Sequence, residues 1–206
     1  MKMRLFILST LAVLTICLAP SALAAKPTRS IADLQKAYIG ETTAHAKYAA
    51  YAVKANSEGY KDVASLFRAA SYAESVHAAR HKTTLISLGV KNPKAGAYTA
   101  KPGTTAANLK DAIKGETYEK NVMYPGMIKD AIAEKCDAAR TAFTFALSAE
   151  KQHTQLYAQA LKTLSKKNIT AAYFVCPVCG ATFKQNAPAA CPVCSTPREM
   201  FKQFKA

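Results

Sequence analysis

The sequence predicts an all-α protein: a four-helix bundle with a long crossover after helix 2, followed by a small C-terminal metal-knuckle domain. Three observations predict it. From Ser30 to about Lys166, apolar residues recur at the spacing of three and four that gives a helix one apolar face, interrupted only by turn signals. Strand patterning is absent before Tyr173. Beyond it lie Cys176-Pro-Val-Cys179-Gly and Cys191-Pro-Val-Cys194-Ser, with eleven residues between Cys179 and Cys191. Two C-x-x-C turns so spaced present four thiolates to one tetrahedral metal.

Residues 1–24 stand apart from the rest. Lys2 and Arg4 precede an apolar run from Leu5 to Ala19, then Pro20-Ser21 and Ala22-Leu23-Ala24. These are the charged, apolar and A-x-A regions of a secretory signal peptide. The run is too short for a comfortable transmembrane helix, so no stable membrane insertion is expected. Cys17 follows Ile16 rather than a small residue, which argues against a lipoprotein, and no twin arginine is present. The expected address is the bacterial periplasm, with metal loaded after export. The expected division is a signal peptide over 1–24, a bundle over 25–167 and a knuckle domain over 168–206.

With 28 Lys and Arg against 13 Asp and Glu, the formal charge is +15, of which the signal carries only Lys2 and Arg4. So basic a chain invites a nucleic-acid partner. The periplasmic address and the scatter of the lysines along helix surfaces point instead to a basic solvated surface, and no nucleic acid is expected.

The first helix is expected to start near Ser30, an N-cap with Asp33 at its third position, and to end at Asn56-Ser57-Glu58-Gly59. A second runs from near Tyr60 to Gly89. The segment Val90–Gly103, rich in Gly, Pro and small residues, is long enough to cross the bundle. Thr104 or Thr105 caps a third helix that reaches about Ala133, kinked or broken by Pro125. A fourth runs from near Cys136 to about Leu164.

Ionisable residues occupy the core stripes of these helices. The first stripe reads Ile31, Leu34, Tyr38, Glu41, His45, Tyr48, Ala52, and the second Val63, Phe67, Ala70, Glu74, His77, His81, Thr84, Leu88. The fourth reads Phe143, Ala146, Glu150, His153, Tyr157, Ala160, Leu164, while the third carries Glu116 and Glu119 beside Leu109, Ala112 and Met123. Five of the eight glutamates thus point inward. A lone buried carboxylate costs several kcal/mol, so a function must hold them there.

The pattern is also duplicated. Gly40-Glu41-Thr42 recurs as Gly115-Glu116-Thr117, offset by 75, and Glu74-x-x-His77 recurs as Glu150-x-x-His153, offset by 76. Each half is a helix pair with one glutamate on its first helix and an E-x-x-H on its second. E-x-x-H sets both side chains on one helix face, so two halves face to face converge on a two-metal carboxylate site. At the tail, Tyr173, Phe174, Phe183, Phe201 and Phe204 surround the knuckles and are expected to pack around their metal. The cysteines alone do not choose between zinc, iron and a pair of disulfides.

These residues resemble the rubrerythrins over essentially the whole mature chain. The matching stretches in the bundle are Gly40-Glu41 through Tyr48, Leu66-Phe67-Arg68-Ala69-Ala70 leading to Glu74-Ser75-Val76-His77, and Asn108-Leu109-Lys110. They continue with Gly115-Glu116-Thr117-Tyr118-Glu119, Met123-Tyr124-Pro125 and Ala149-Glu150-Lys151-Gln152-His153, and in the tail with Pro197-Arg198-Glu199-Met200-Phe201-Lys202. The resemblance implies a ferritin-like bundle holding two non-haem irons and a rubredoxin-like domain holding one iron on Cys176, Cys179, Cys191 and Cys194. It implies that Glu74 and Glu150 bridge the irons, that Glu41 binds one terminally, and that Glu116 and His153 bind the other. It further implies that one iron moves between Glu119 and His77 as its redox state changes, with Tyr48 and Tyr124 beside the cluster; these four are the expected catalytic residues.

Against the family pattern, export is unusual, and Ser195 replaces a glycine in a turn that strains a side chain if φ is positive. Cys136 matches no ligand position and reads as a half-buried apolar residue. His45 and His81 read as hydrogen-bonded core residues behind the ligands.

The expected activity is reduction of hydrogen peroxide to water, with electrons from an external donor protein or reductase passing through the cysteine iron. A head-to-tail homodimer would bring the module of one chain to the diiron site of the other. The alternative is a ferroxidase or iron-handling protein, against which the rubredoxin-like module and the Glu119–His77 ligand pair argue. A zinc-stapled binding module is the third class, and it predicts a colourless protein.

Overall fold

The computed structural model describes residues 26–165 and 170–205; the expected signal peptide lies outside them. The bundle consists of α1 (Thr28–Ser57), α2 (Lys61–Ser87), α3 (Thr105–Tyr118), α4 (Tyr124–Ala133) and α5 (Asp137–Lys162), with five residues of π-helix, Glu119–Met123, between α3 and α4. The third predicted helix is therefore α3, the π segment and α4 in line. Pro125 sits in the first turn of α4 and has no N–H for the carbonyl four residues back, while the amide of Tyr124 bonds the carbonyl of Glu119, five back. The predicted break is a widened turn, which keeps the helix continuous.

The helix starts differ from the sequence expectation at one end and agree at another. α1 begins two residues before Ser30, and no side chain of its own caps it. The carboxylate of Glu134, from the far end of α4, accepts from the amides of Arg29 and Ser30 and from the Ser30 hydroxyl. Ser30 is thus held by a cap supplied from another helix. Thr104 does cap α3, accepting from the amide of Ala107. Gly59 and Gly89, both at positive φ, end α1 and α2.

The crossover from Leu88 to Thr104 lies along α1. Its Gly96 amide donates to Thr42 Oγ1, and Lys94 exchanges hydrogen bonds with the Gln35 amide group. A Cβ on Gly96 would meet Thr43 Oγ1 at 2.2 Å, so only glycine lets the strap sit this close. Two apolar clusters fill the bundle on either side of its middle, one around Phe67, Leu66, Leu109 and Tyr157, the other around Leu34, Leu85, Phe143 and Tyr124. Cys136 is buried in the second. The inward glutamates and histidines lie between the two.

The tail is a three-stranded antiparallel sheet in the order β2-β1-β3, with β1 at Tyr173–Val175, β2 at Thr182–Lys184 and β3 at Lys202–Phe204. Alternation along β1 splits the aromatic set that the sequence assigned to the metal. Tyr173 and Val175 face the bundle core and Phe204 packs there too, whereas Phe174, Phe183 and Phe201 pack around the cysteines. The same face rests on α2 and α5, so the module is docked on the bundle of its own chain. Among the described residues, no helix is long and apolar enough to cross a membrane.

Candidate metal centres

Two four-residue groups meet in the middle of the bundle: Glu41, Glu74, His77 and Glu150, and Glu74, Glu116, Glu150 and His153. One donor atom from each residue lies within 4.8 Å of the others in its group. Glu74 and Glu150 belong to both, the geometry that bridging carboxylates need. His77 Nδ1 faces Glu74 at 3.0 Å, Glu150 at 3.2 Å and Glu41 at 3.6 Å. His153 Nδ1 faces Glu150 at 2.8 Å, Glu74 at 3.3 Å and Glu116 at 3.7 Å. The duplication in the sequence is thus a pseudo-twofold in space.

Second-row tyrosines follow the same symmetry and cross it. Tyr48 of the first half donates to Glu116 of the second at 2.6 Å, and Tyr124 of the second donates to Glu41 of the first. Tyr48 is seven residues after Glu41, yet Tyr124 is eight after Glu116. The additional residue falls where the π segment lies, Glu119–Met123, and the repeat offset grows there from 75 to 76. The widened turn absorbs one inserted residue and restores the register of Tyr124. Glu119 opens that segment and lies outside both groups, while His77 lies inside.

The donor set fits a pair of cations. Glu41, Glu74, Glu116 and Glu150 are at most 1 % exposed, and one oxygen of each lacks a hydrogen-bond partner. Uncompensated, such a group of charges is too costly to bury. Two divalent cations would balance four carboxylates and occupy the free oxygens. Without them the charges distort one another. Burial and the neighbouring Glu74 push Glu41 up to about 7. Burial, Glu74 and Glu116 raise Glu150, and burial with Glu41 and Glu116 raises Glu119. Burial also opposes the charge on His77 and on His153, but the carboxylates around them outweigh it and hold both well above the usual imidazole range.

His81 is fully buried, and burial with His77 and Arg80 nearby brings it down to about 3, so it is neutral. Its Nε2 lies 3.2 Å from the Tyr124 hydroxyl, behind Glu41, as expected of a supporting residue. His45 departs from expectation. It is exposed at the seam between α1 and α2, its Nδ1 2.7 Å from the Ser71 carbonyl and 3.0 Å from the Ser71 hydroxyl, and not behind the ligands.

The four cysteines form a third donor group, all within 4.8 Å of one another, with 3.4 Å between Cys176 and Cys194 and between Cys179 and Cys191. All four are free thiols, which fits tetrathiolate metal binding and not the disulfide pair. Ser195 holds φ at 61°, the strained glycine position that the sequence flagged. Burial raises Cys179 and Cys191; at Cys194 it is outweighed by the Thr196 hydroxyl and amide, which bring the thiol down to about 7.

The first knuckle touches the bundle site directly. His77 Nε2 lies 3.2 Å from the Cys179 carbonyl, and His153 Nε2 lies 3.0 Å from Thr182 Oγ1. Gln152 accepts from the Thr182 amide at 2.7 Å, and Arg80 donates to the Val178 carbonyl at 2.8 Å. Sequence reasoning did not find Thr182, Gln152 or Arg80. Their role comes from contacts across some thirty to a hundred residues, which leave no local pattern.

A helical bundle with a duplicated carboxylate–histidine two-metal site, carrying a tetrathiolate knuckle module, defines the class of protein. A family model described as rubrerythrin matches residues 33–161, and one described as the rubredoxin-like domain of rubrerythrin matches residues 174–202. The chain belongs to the rubrerythrin family. It is 32% identical to nigerythrin of Nitratidesulfovibrio vulgaris, over 85% of this chain and 86% of that one. It is 33% identical to rubrerythrin-2 of Clostridium acetobutylicum, over 83% and 94%. A solved structure of nigerythrin in its fully reduced, all-ferrous state superposes with a TM-score of 0.81 at 28% identity, covering 92% of this chain and 91% of that one.

Proposed function

We propose that this protein is a non-haem diiron peroxidase that reduces hydrogen peroxide to water and protects against oxidative stress. The observation that carries it is the contact of the first knuckle with both bundle histidines, His77 through Cys179 and His153 through Thr182. A ferritin-like iron store needs no such junction; an oxidoreductase fed with single electrons does. When bound, two irons in the bundle would supply the electron pair that cleaves the O–O bond, and an iron on the cysteines would replace it one electron at a time. In this reading Glu74 and Glu150 would be shared by the two metals, Glu41 would hold one and Glu116 with His153 the other, and Glu119 and His77 would be the alternative ligands for the two redox states.

The chain's own groups prepare the site. Tyr48 and Tyr124 orient Glu116 and Glu41 by donating to them, which leaves the other carboxylate oxygens for metal. The Cys179 carbonyl can only accept, so it fixes the proton of His77 on Nε2 and turns the Nδ1 lone pair inward. The apolar clusters on either side keep bulk water from the pair.

An anaerobic peroxide titration of the reduced, iron-loaded protein tests the assignment. The iron–thiolate absorption should return in proportion to added peroxide. A protein coloured before reduction that stays bleached after peroxide would instead make it a ferroxidase, and one colourless before reduction would put zinc in the knuckles.

Export to the periplasm through residues 1–24 is part of the proposal, checked by whether the mature N-terminus is Ala25. The donor is proposed to be an external protein or reductase. A head-to-tail homodimer would exchange the modules and make the same knuckle contacts across two chains; sedimentation of the loaded protein checks it.

A further inference from the structure

The part of the bundle core next to the second metal group packs three tyrosines, Tyr48, Tyr51 and Tyr157, around Phe67. The Tyr157 ring stands 6.3 Å from His153 and 5.6 Å from the Tyr48 ring, centroid to centroid. Tyr48 is 6.1 Å from Tyr51, and Tyr51 is 6.1 Å from Tyr98, a half-buried residue of the crossover. Five rings therefore run from a proposed metal ligand to the surface. Tyr48, Tyr51 and Tyr157 are 2 %, 5 % and 0 % exposed.

The hydroxyls are what packing does not explain. That of Tyr157 is buried and finds no partner among the described residues, a desolvation cost that phenylalanine would avoid. That of Tyr51 donates to Asp111 Oδ2 at 2.9 Å, and Lys47 holds the same oxygen at 3.0 Å. The Asp111 side chain is 50% exposed, so a proton placed on it exchanges with solvent. Tyr51 is thus a phenol in an apolar core with a base at its oxygen, next to a ring that reaches the surface.

We infer that Tyr157, Tyr48, Tyr51 and Tyr98 form a relay that drains oxidising equivalents from the metal site when peroxide arrives and reducing electrons do not. It rests on the peroxide chemistry proposed above: loaded with iron and fully reduced, the protein would hold three electrons, so a first peroxide would take two, and a second would find one and draw the other from the protein. Tyr51 gives one electron inward through the rings of Tyr48 and Tyr157, its O–H bond breaks, and the proton passes to Asp111. A neutral tyrosyl radical remains. The ammonium of Lys47, 5.3 Å from the Tyr48 ring centroid and 6.0 Å from that of Tyr51, disfavours a cation radical on either ring. The hole therefore rests where a proton can leave. A solution thiol meeting Tyr98 gives one electron to the radical and its own proton to water, Asp111 returns the proton to Tyr51, and two of the resulting thiyl radicals pair to disulfide.

The test is rapid freezing of the reduced, iron-loaded protein after mixing with excess peroxide and no reductant, read by electron paramagnetic resonance, with peroxide consumption measured on the same samples. A tyrosyl signal is expected, with most of it lost in Tyr51→Phe. In Asp111→Asn, which keeps every ring, the signal should shrink as well. Peroxide turnover with reductant present should be unchanged in both variants, and unchanged iron–thiolate absorption and helical circular dichroism certify the fold. Peroxide consumed without a radical, or an undiminished radical in both variants, overturns the relay alone. No peroxide consumption overturns the peroxidase assignment and the relay with it.

Discussion

His77 Nε2 donates to the carbonyl of Cys179, 3.2 Å away, so one imidazole joins a carboxylate cluster to a cysteine knuckle. Its Nδ1 is among the donor atoms of the bundle site, and Cys179 is one of the four thiols of the module. The two candidate redox centres are therefore separated by a single side chain and one hydrogen bond. Thr182 repeats the arrangement at His153, its own hydroxyl proton going to the Gly180 carbonyl.

Gly180 sets how close the knuckle can come. It sits at φ +77, and a Cβ there would stand 2.2 Å from His77 Nε2. Gly180→Ala would both strain the turn, by about 1–2 kcal/mol, and push the module off the histidine. Peroxide-driven reoxidation of the module should slow by roughly ten- to a hundredfold, since misplacement near 1 Å carries costs of that order. Metal content of the bundle should hold. Stopped-flow absorption of the thiolate chromophore, beside metal analysis, checks both.

Thr182→Val keeps the shape but removes the acceptor at His153 Nε2 and the second hydrogen bond to Gly180. The freed imidazole can turn or take the other tautomer. The bundle should bind iron about 10–100-fold more weakly, as loss of a group that orients a ligand usually does. Chelator competition measures it. Unchanged affinity would mean that Glu150 and Glu74 alone orient His153.

Much of this arrangement is legible in the sequence. Glu41, Glu74, Glu116 and Glu150 betrayed themselves as charges on apolar stripes, and the doubled E-x-x-H located both histidines. The π segment had a signal too, in the step of the repeat offset from 75 to 76 near Pro125. Ser30 misled because its cap is Glu134, over a hundred residues away. His45 misled because its partner is Ser71 of α2, a contact between helices that the spacing within one helix does not show. Tyr173 and Phe204 went to the bundle core because docking turned one face of a three-stranded sheet toward it, which composition cannot express.

Glu58 holds the start of α3 by accepting from the Thr105 amide and hydroxyl, at 2.8 and 2.6 Å. Those bonds hold its carboxyl at about 2, against an ordinary value of 4.5. A lowered folded value means that this stabilisation is complete above pH 4.5 and is lost as the pH falls toward 2. The side chain is 25% exposed, so solvent screening reduces the effect. Glu58→Gln should cost about 1 kcal/mol at pH 7, in the range of a lost cap. The difference should vanish near pH 2, as urea unfolding at several pH values would show.

Removing the metals should reverse the pH dependence of stability. In the metal-free bundle Glu41, raised to about 7, is joined by Glu119 and Glu150, also raised, and by His77 and His153, raised by their carboxylate neighbours. Groups whose folded values are raised hold protons more tightly folded than unfolded. Their contribution is full below the unfolded values, 4.5 for the carboxylates and 6.5 for the histidines, and is lost as the pH climbs through the folded ones. Glu74 is the exception. Burial pushes it up, but His153 and His77 more than cancel that and hold it low, so its share is lost only in acid below 4.5. Between pH 5 and 8 the metal-free protein should therefore melt at progressively lower temperature. The loaded protein should gain stability over the same range, because cations displace those protons and bind more tightly as the pH rises. Thermal melts of chelated and reloaded protein at pH 5, 6.5 and 8 decide it; parallel curves would mean that the glutamates do not hold metal.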